Sequence, residues 1–261
     1  MRSAPLQARK TISDREGVTL KISAKSDKGI VRANNQDSYA AGELPGNVAW
    51  AVVCDGMGGA AGGNVASATA VKVISEKIAT CYHQGMSDNS IRNLLISAVE
   101  SANALVLDAA RKNEALDGMG TTVVAVIVNV DIVYVVSVGD SRAYILSDSL
   151  FQVTTDHSVV QGMVDRGEIT KEEARYHPKK NIITRALGID DEVRADFFRE
   201  DINKETDIVL ICTDGLTNFV SEADICSVAH NSDVYEIADN LVKAANENGG
   251  GDNITVVALS N

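Results

Sequence analysis

The sequence predicts an α+β fold with largely antiparallel sheets. Predicted strands adjoin predicted strands and predicted helices adjoin predicted helices, which is typical of segregated layers and not of alternating βαβ units. The most apolar stretch, residues 121–138, is nearly long enough to span a bilayer, but β-branched residues dominate it and Asn129 and Asp131 interrupt its middle. The stretch therefore predicts a hairpin of two strands.

Length and composition favour a single domain. The chain has 261 residues, of which 45% are hydrophobic, and it has three prolines and no linker rich in serine or proline. This is enough apolar material for one sizeable core. Residues 1–17 are polar and lack the apolar segment of a secretory signal, so we expect a loose N-terminal tail before a domain over residues 18–261.

Short apolar or alternating runs predict the strands, and helical spacing of apolar residues predicts the helices. The predicted strands are 18–24, 48–54, 121–128, 132–138, 141–146, 151–153, 181–186, 193–198, 207–212 and 254–259. The predicted helices are 64–80, 89–113, 157–167, 169–178, 222–230 and 234–248. Asp156 is expected to cap the third helix, and Pro178 to end the fourth.

Charge and cysteine usage exclude several classes of partner. The formal net charge is -12, which repels nucleic-acid phosphate and anionic lipid, so we expect neither nucleic acid nor membrane as a partner. The four cysteines show no C-x-x-C spacing. Together with the missing signal, they predict a reducing cytoplasm and buried thiols. The four scattered histidines disfavour a zinc cluster.

A glycine-rich loop follows the strand predicted at 48–54. Residues Gly56–Ala61, GMGGAA, match the dinucleotide pattern G-x-G-x-x-A, so a dinucleotide-binding protein is one alternative. Two features disfavour it. Two predicted helices precede the next strand, where a βαβ unit would return within about thirty residues. Asp55 also adjoins the first glycine, where its charge would repel a pyrophosphate.

Several aspartates lie where an apolar strand meets a glycine-containing loop. Strand ends of packed sheets lie side by side, so these carboxylates can converge, and divalent cations relieve their mutual repulsion. Carboxylate oxygens without His or Cys suit Mg²⁺ or Mn²⁺. The aspartates are Asp55, Asp140, Asp214 and Asp252, and Asp37 lies beside the loop that contains Arg32.

Eight segments, in order, resemble the metal-dependent protein phosphatase (PPM) family, the type-2C serine/threonine phosphatases, and particularly its bacterial branch. They are VRANNQDSY, VVCDGMGGAAGGNVAS, GMGTTVVAVIV, VGDSRAYIL, TTDHSVV, ITRALG, LICTDGLTNFV and GGGDNITVVAL. They extend from about Lys21 to Ser260. The resemblance implies a four-layer α-β-β-α sandwich, in which two antiparallel sheets are flanked by helix pairs and a metal cluster lies at one edge.

The resemblance also implies a set of ligands for two ions, Mn²⁺ or Mg²⁺. In the family's pattern, Asp55 bridges the two ions and the Gly56 carbonyl binds one of them. Asp214 and Asp252 complete the shell of the other ion, and Asp37 holds metal-bound water.

A third, weaker metal site is implied at Asp140 and Asp214, and Arg32 matches the arginine that grips the substrate phosphate. The implied reaction is hydrolysis of phosphoserine and phosphothreonine in proteins. A metal-bridging hydroxide attacks phosphorus without a covalent intermediate. Asp140 has an alternative interpretation, as a turn aspartate paired with Arg142.

Two residues depart from the family's pattern. Met57 stands where many eukaryotic relatives have a histidine that is thought to protonate the leaving group. The general acid is therefore open between a metal-bound water and another side chain, with His157 and His177 as weak candidates. Gln36 stands where glutamate is common, which removes one anion beside the cluster.

The sequence therefore predicts a cytoplasmic, monomeric, bacterial-type serine/threonine protein phosphatase. Its expected partners are phosphorylated proteins and a cognate serine/threonine kinase, and one alternative is a phosphatase dedicated to a single phosphoprotein. The resemblance implies a flap beside the site at residues 162–180, and an ordinary surface insertion is the alternative there. A rival of another class is a non-catalytic sensor that binds metal and phosphopeptide.

Overall fold

The computed structural model describes residues 20–203 and 205–260, so the predicted tail at 1–17 lies outside the described residues. The described strands are β1 Lys21–Asp27, β2 Asp37–Leu44, β3 Val48–Met57, β4 Gly120–Thr121, β5 Val123–Asn129, β6 Ile132–Val138, β7 Arg142–Leu146, β8 Leu150–Gln152, β9 Asp196–Asp201, β10 Ile208–Cys212 and β11 Ile254–Ser260. The α-helices are α1 Gly59–Cys81, α2 Asp88–Lys112, α3 Val159–Asp165, α4 Lys171–Tyr176, α5 Asp214–Thr217, α6 Glu222–His230 and α7 Ile237–Glu247. Single 3₁₀ turns lie at Glu114–Leu116 and Val234–Glu236.

Two sheets form the centre of the molecule. One sheet has the strand order β1-β11-β10-β7-β8, and the other has the order β2-β3-β5-β6-β9, with β4 paired to the end of β3. All the strand pairs within them are antiparallel. The predicted α+β class with antiparallel sheets is confirmed.

Three apolar clusters divide the molecule into four layers. Alternate residues of β3 and β5 point in opposite directions, because successive side chains of a strand face opposite sides of its sheet. Val53 and Val124 face β10 and β11 of the other sheet, whereas Val52 and Ala125 face α1 and α2. The outer face of the other sheet packs against α6 and α7. The expected α-β-β-α sandwich is therefore present.

Two predictions about the helices and strands are wrong, and one strand and the short helix α5 were missed. Residues 181–186 form a loop with one isolated bridge, Ser158 to Ile183, and no strand. Ser158, not Asp156, caps α3, because its hydroxyl accepts from the Gln161 N–H. The missed strand is β2, whose DSYAAGEL sequence has few large apolar residues.

Cys54 and Cys212 are buried, as predicted, but Cys81 is exposed and Cys226 is partly exposed. The expectation of buried thiols is thus wrong for Cys81. Among residues 20–203 and 205–260, no helix is both long enough and apolar enough to cross a membrane.

Candidate metal and phosphate site

The predicted aspartates converge at one edge of the sandwich. Asp37 begins β2 and pairs directly with Asp55 on β3. Asp214 begins α5, two residues after the end of β10, and Asp252 lies two residues before the start of β11. Asp140 follows β6. Each carboxylate is therefore fixed by the end of a sheet strand, which is a rigid support for a site.

A cleft of about 530 Å³ opens at this edge. Predicted site residues line it, together with residues that sequence reasoning missed. The lining includes Arg32, Asp55, Gly56, Asp140, Asp214 and Asp252 from the predictions, and Asn34, Asn181, Ile183 and Asn253 in addition. Asp37 lies behind this lining.

Asp37 is 8% exposed, and only one of its carboxylate oxygens has a partner. Its Oδ2 accepts from the hydroxyls of Thr213, at 2.9 Å, and Thr255, at 2.7 Å. Its Oδ1 is buried without a hydrogen bond. Burial raises the pKa of Asp37 to about 7, although the two threonine hydroxyls oppose the shift.

Asp55 lies among the other carboxylates of the cleft. Its backbone N–H donates to the Thr122 hydroxyl at 3.0 Å, which fixes the end of β3. Burial, and then the charges of Asp37, Asp214 and Asp140, raise the pKa of Asp55 well above its usual range. A carboxylate here is costly to ionise unless positive charge lies nearby.

Asp214 also has one unpartnered oxygen. Asn218 Nδ2 donates to Oδ2 at 2.8 Å, whereas Oδ1 is buried without a hydrogen bond. Burial and the charge of Asp252 raise the pKa of Asp214. Asn218 lies one helical turn after Asp214, in the segment TDGLTN. Sequence reasoning did not single it out.

Asp140 is buried and does not pair with Arg142. Burial, and then the charge of Asp214, raise the pKa of Asp140 to about 8. The Arg142 guanidinium instead binds both oxygens of Asp156, at 2.7–3.1 Å, and the Tyr144 hydroxyl. The alternative interpretation of Asp140 as the partner of Arg142 is therefore wrong.

Arg32 lies at the rim of the cleft and holds Asp252. Nε lies 2.8 Å from Oδ1 and Nη2 lies 2.8 Å from Oδ2, a two-point contact. The Arg32 side chain is 52% exposed, so this pair contributes little to stability. Its importance is geometric, because it directs a guanidinium into a cleft of carboxylates.

Asn253 fixes the loop that contains Arg32. Its Oδ1 accepts from the Gln36 N–H, and its Nδ2 donates to the carbonyls of Lys28 and Asn34, with distances of 2.8 to 2.9 Å. Gln36, the residue that replaces a glutamate, donates from Nε2 to the Gly59 carbonyl at 2.8 Å. These amides connect the Arg32 loop to β11 and to the glycine loop.

The glycines after Asp55 allow helix α1 to approach β3 closely. A Cβ on Gly56 would lie 2.1 Å from the Gly63 carbonyl oxygen, so no side chain fits there. Strand β5 pairs antiparallel with β3 after two intervening helices, so no βαβ unit follows the loop. The dinucleotide alternative therefore lacks its structural context.

The residues fit hard cations, although they are not arranged as a closed ligand shell. Across the described parts of the chain, no group of three or more His, Cys, Asp or Glu side chains is preformed around one point. Asp252 is engaged by Arg32, and one oxygen each of Asp37 and Asp214 is engaged by neutral donors. However, Asp37 Oδ1 and Asp214 Oδ1 are buried without a donor. Carboxylate and carbonyl oxygens are the ligands that Mg²⁺ and Mn²⁺ prefer.

The two histidine candidates for a general acid do not line the cleft. His157 is 5% exposed and lies behind the Asp140 loop, where it binds Gly139 and Asp196. His177 follows α4, and its Nδ1 accepts from the Lys179 N–H. Neither histidine is placed to protonate a leaving group in the cleft.

A second cavity of about 580 Å³ lies beside the cleft and shares Asp140 and Asp214 with it. Helices α3 and α4 and the start of α6 form its walls. Lys171, Arg175 and Tyr176 of α4 line it, and Tyr176 is 82% exposed. The predicted flap, residues 162–180, thus borders a groove that opens onto the cleft.

Comparisons with known proteins agree with this architecture. The family model for Protein phosphatase 2C matches residues 30–250. The serine/threonine phosphatase stp of Listeria welshimeri is 38% identical over 239 residues, which are 90% of this chain and 93% of that protein. PstP of Mycobacterium tuberculosis is 36% identical over 242 residues, which are 92% of this chain and 45% of that protein.

Solved structures agree as well. Stp1 from Staphylococcus aureus superposes with a TM-score of 0.87 at 31% identity, over 94% of this chain and 96% of that one. The catalytic domain of PstP, in complex with two manganese ions, gives a TM-score of 0.80 at 34% identity, over 92% and 97% of the two chains. Fold and matches together define a serine/threonine protein phosphatase. More particularly, the chain belongs to the protein phosphatase 2C family.

Proposed function

We propose that this chain hydrolyses phosphoserine and phosphothreonine in proteins with two divalent cations, Mn²⁺ or Mg²⁺, held at the carboxylate cleft. Asp55 and the Gly56 carbonyl, together with Asp214 and Asp252, would hold them, and Asp37 would orient water. The observation that carries the proposal is the pair of buried, donor-less oxygens on Asp37 and Asp214 beneath a cleft that also presents Arg32. A third, weaker ion would use Asp140 and Asp214.

The bound cations would supply a deprotonated water that attacks phosphorus directly, without a phosphorylated protein intermediate. The chain's own contribution is to position and to balance charge. Asp37, Asp55 and Asp214 concentrate negative charge, and none of the three forms an ion pair within residues 20–203 and 205–260. Arg32 already presents two N–H groups to a carboxylate, and the same fork fits two phosphoryl oxygens.

The groove beside the cleft supports binding of a polypeptide substrate. It continues from Asp140 and Asp214 beneath α4, where Tyr176 exposes an aromatic ring and Lys171 and Arg175 have no ion-pair partner among the described residues. We propose that the chain segments next to the phosphorylated residue lie in this groove, so residues 162–180 act as a substrate-selecting flap.

The same proposal includes partners and location. The expected partners are phosphorylated proteins and the serine/threonine kinase whose products this chain reverses. A cytoplasmic location and a monomeric state stay predictions, and cell fractionation and light scattering test them.

The first experiment is hydrolysis of a phosphothreonine peptide and of a small aryl phosphate, with Mn²⁺ and with a chelator. We expect turnover of both substrates that needs the ion, and a higher kcat/KM for the peptide because the groove binds the flanking residues. An unchanged rate in chelator contradicts the metal mechanism. Binding of Mn²⁺ and phosphopeptide without turnover would establish the sensor alternative instead.

A further inference from the structure

His157 holds the peptide that directly precedes Asp140. Its backbone N–H donates to the Gly139 carbonyl at 2.8 Å, and its ring Nδ1 accepts from the Gly139 N–H at 3.0 Å. Both polar backbone groups of one glycine are therefore bound by one buried residue. His157 is not part of the cleft lining, so it contacts neither the space for the substrate nor the aspartates that line the cleft.

Two further residues fix the tautomer of the ring. Because Nδ1 accepts, the ring proton resides on Nε2, which lies 3.0 Å from Asp196 Oδ2 and donates to it. Arg185 Nη1 lies 3.1 Å from Nε2 as well, but it binds the other Asp196 oxygen at 2.9 Å. Burial lowers the pKa of His157, which keeps Nδ1 free to accept at neutral pH. The arrangement is an Arg–Asp–His chain that ends on a backbone amide.

The Gly139 peptide has little freedom once it is held. Gly139 has φ of +107°, and a Cβ there would lie 2.6 Å from the Thr122 side chain. On the other side of Asp140, the Ser141 hydroxyl lies 2.7 Å from the Thr122 hydroxyl, which also accepts from the Asp55 N–H. Asp140 is thus fixed by His157 before it and by Thr122 after it, and Thr122 sets its position relative to Asp55.

The same histidine lies at the base of the flap. The Thr184 N–H donates to the His157 carbonyl at 2.7 Å, and the Val159 N–H donates to the Ile182 carbonyl at 2.8 Å. The two ends of residues 158–183 are therefore joined next to His157, and the isolated bridge from Ser158 to Ile183 is part of this junction. The flap and the Asp140 loop share this one anchor.

We propose that His157 is a positioning residue of the phosphatase reaction, which holds the Gly139 peptide so that the Asp140 carboxylate faces the cleft and the flap base keeps its place beside it. The inference rests on the proposed function, because it gives Asp140 a part in the reaction. Outer residues of this kind typically change activity or metal affinity by about 10- to 100-fold when they are lost.

Two substitutions separate positioning from packing. In His157→Asn, the side-chain oxygen can take the place of Nδ1 and accept from the Gly139 N–H. In His157→Gln, the amide reaches towards Asp196 in the place of Nε2 but leaves Gly139 without its acceptor. His230→Gln is the matched control, because it also replaces a histidine whose ring contacts the backbone of a distant segment, the Ser147 carbonyl at 2.7 Å, but away from the cleft, the groove and Asp140.

We expect His157→Gln to lower kcat for an aryl phosphate by about 10- to 100-fold, with a small change in KM, because the interaction is not with the substrate. His157→Asn should recover most of that loss, and His230→Gln should match the wild type. Hydrogen exchange of the Gly139 amide, measured without added metal, should be faster in His157→Gln than in His157→Asn.

If both His157 variants lose the same fraction of kcat, and that loss follows the decrease in their melting temperatures, the proposal is overturned. It is also overturned if the Gly139 amide exchanges as slowly in His157→Gln as in the wild type. If the wild-type chain itself shows no metal-dependent turnover, the proposed function fails, whereas the exchange measurement still decides whether His157 holds Gly139.

Discussion

At the scale of single residues, the cleft combines groups that oppose folding. Burial and mutual repulsion raise the pKa values of Asp37, Asp55, Asp140 and Asp214, so their charged forms are unfavourable in the folded protein. A sequence selected for stability alone would place amides or apolar residues there. Carboxylates at these positions are expected where a cation compensates for the cost.

Asp214→Asn tests this balance of stability and function. The amide keeps the contact to Asn218 and removes one charge from the cluster. We expect turnover to fall by more than the factor of about 10 to 100 that is typical when a residue supporting a metal ligand is lost. The melting temperature in chelator should stay the same or rise, because a repulsive charge is lost. Steady-state kinetics and thermal denaturation measure the two effects.

The variant should also lose most of the stabilisation that Mn²⁺ gives the wild type, which is about 2.7 kcal/mol at a hundred times the dissociation constant. Asp239→Asn is a control, because Asp239 is 56% exposed and pairs with Lys25 on the surface. Wild-type turnover in Asp214→Asn would refute the assignment of Asp214 as a metal ligand.

At the scale of elements, the short helix α5 must lie directly on the start of β11. A Cβ on Gly215 would lie 1.8 Å from the Asn253 carbonyl oxygen, which is backbone and cannot move aside cheaply. Asp214 directly precedes Gly215 in the sequence, and Asp252 directly precedes Asn253. Close approach of the two segments therefore brings two of the proposed ligands together.

Gly215→Ala should force α5 away from β11. We expect a loss of about 1–3 kcal/mol of the free energy of unfolding, or more, from overpacking, together with reduced turnover because Asp214 and Asp252 separate. Urea denaturation measures the first effect and an aryl phosphate assay the second.

Gly162→Ala is the matched substitution. Gly162 lies within α3, and a Cβ there meets only the end of the flexible Arg166 side chain, at 3.3 Å. Alanine should stabilise this helix by up to about 1 kcal/mol. Equal stability of Gly215→Ala and the wild type would show that the α5–β11 contact is not tight.

Elements were predictable from the sequence where local pattern and tertiary role agree. Long apolar strands such as β5 and β6 are evident in the sequence, and Asp55, Asp140 and Asp214 were singled out because each lies at the end of an apolar strand. Strand β2 lies at a sheet edge and uses small residues such as Ala40 and Ala41, so its pattern is weak. Residues 181–186 were wrongly predicted as a strand, because the apolar pair Ile182 and Ile183 is typical of a strand. In the structure these residues form a loop that borders the cleft.

The contacts between distant segments could not be predicted. Asp37 and Asp55 were each identified, but their direct pairing depends on the register of β2 with β3. The binding of Gly139 by His157 depends on a loop whose left-handed backbone the sequence indicates only by a glycine. Side-chain roles that arise from tertiary contact, such as those of Asn253 and Asn218, leave no periodic signal.

At the scale of the whole molecule, the sandwich collects an excess of negative charge at one edge. The formal net charge is -12, and the proposed site brings four aspartates together in the cleft lining with Asp37 paired beside Asp55. Counter-ions at this edge therefore act on the stability of the entire fold, since the carboxylates come from both sheets. Metal removal should be visible in global unfolding, not only in activity.

The pH dependence of unfolding in chelator follows from the raised pKa values. Asp37 has a folded pKa of about 7 and Asp140 one of about 8, against about 3.9 in an unfolded chain. The folded state therefore keeps protons that the unfolded chain releases. Such a group contributes stability that is complete at low pH and is lost as the pH rises through the folded value.

Between pH 7 and 8.5 we accordingly expect the free energy of unfolding in chelator to fall, by about 1.4 kcal/mol per pH unit for each carboxylate that is still protonated in the folded state. His157 has a lowered pKa and acts in the opposite sense, but below about 6.5, where the unfolded histidine titrates, so this window avoids it. Saturating Mn²⁺ should flatten the profile, because the ion favours the ionised carboxylates. Asp140→Asn should reduce the slope in chelator. A stability that rises with pH in chelator would mean that the protein itself already compensates the charges of the cleft carboxylates.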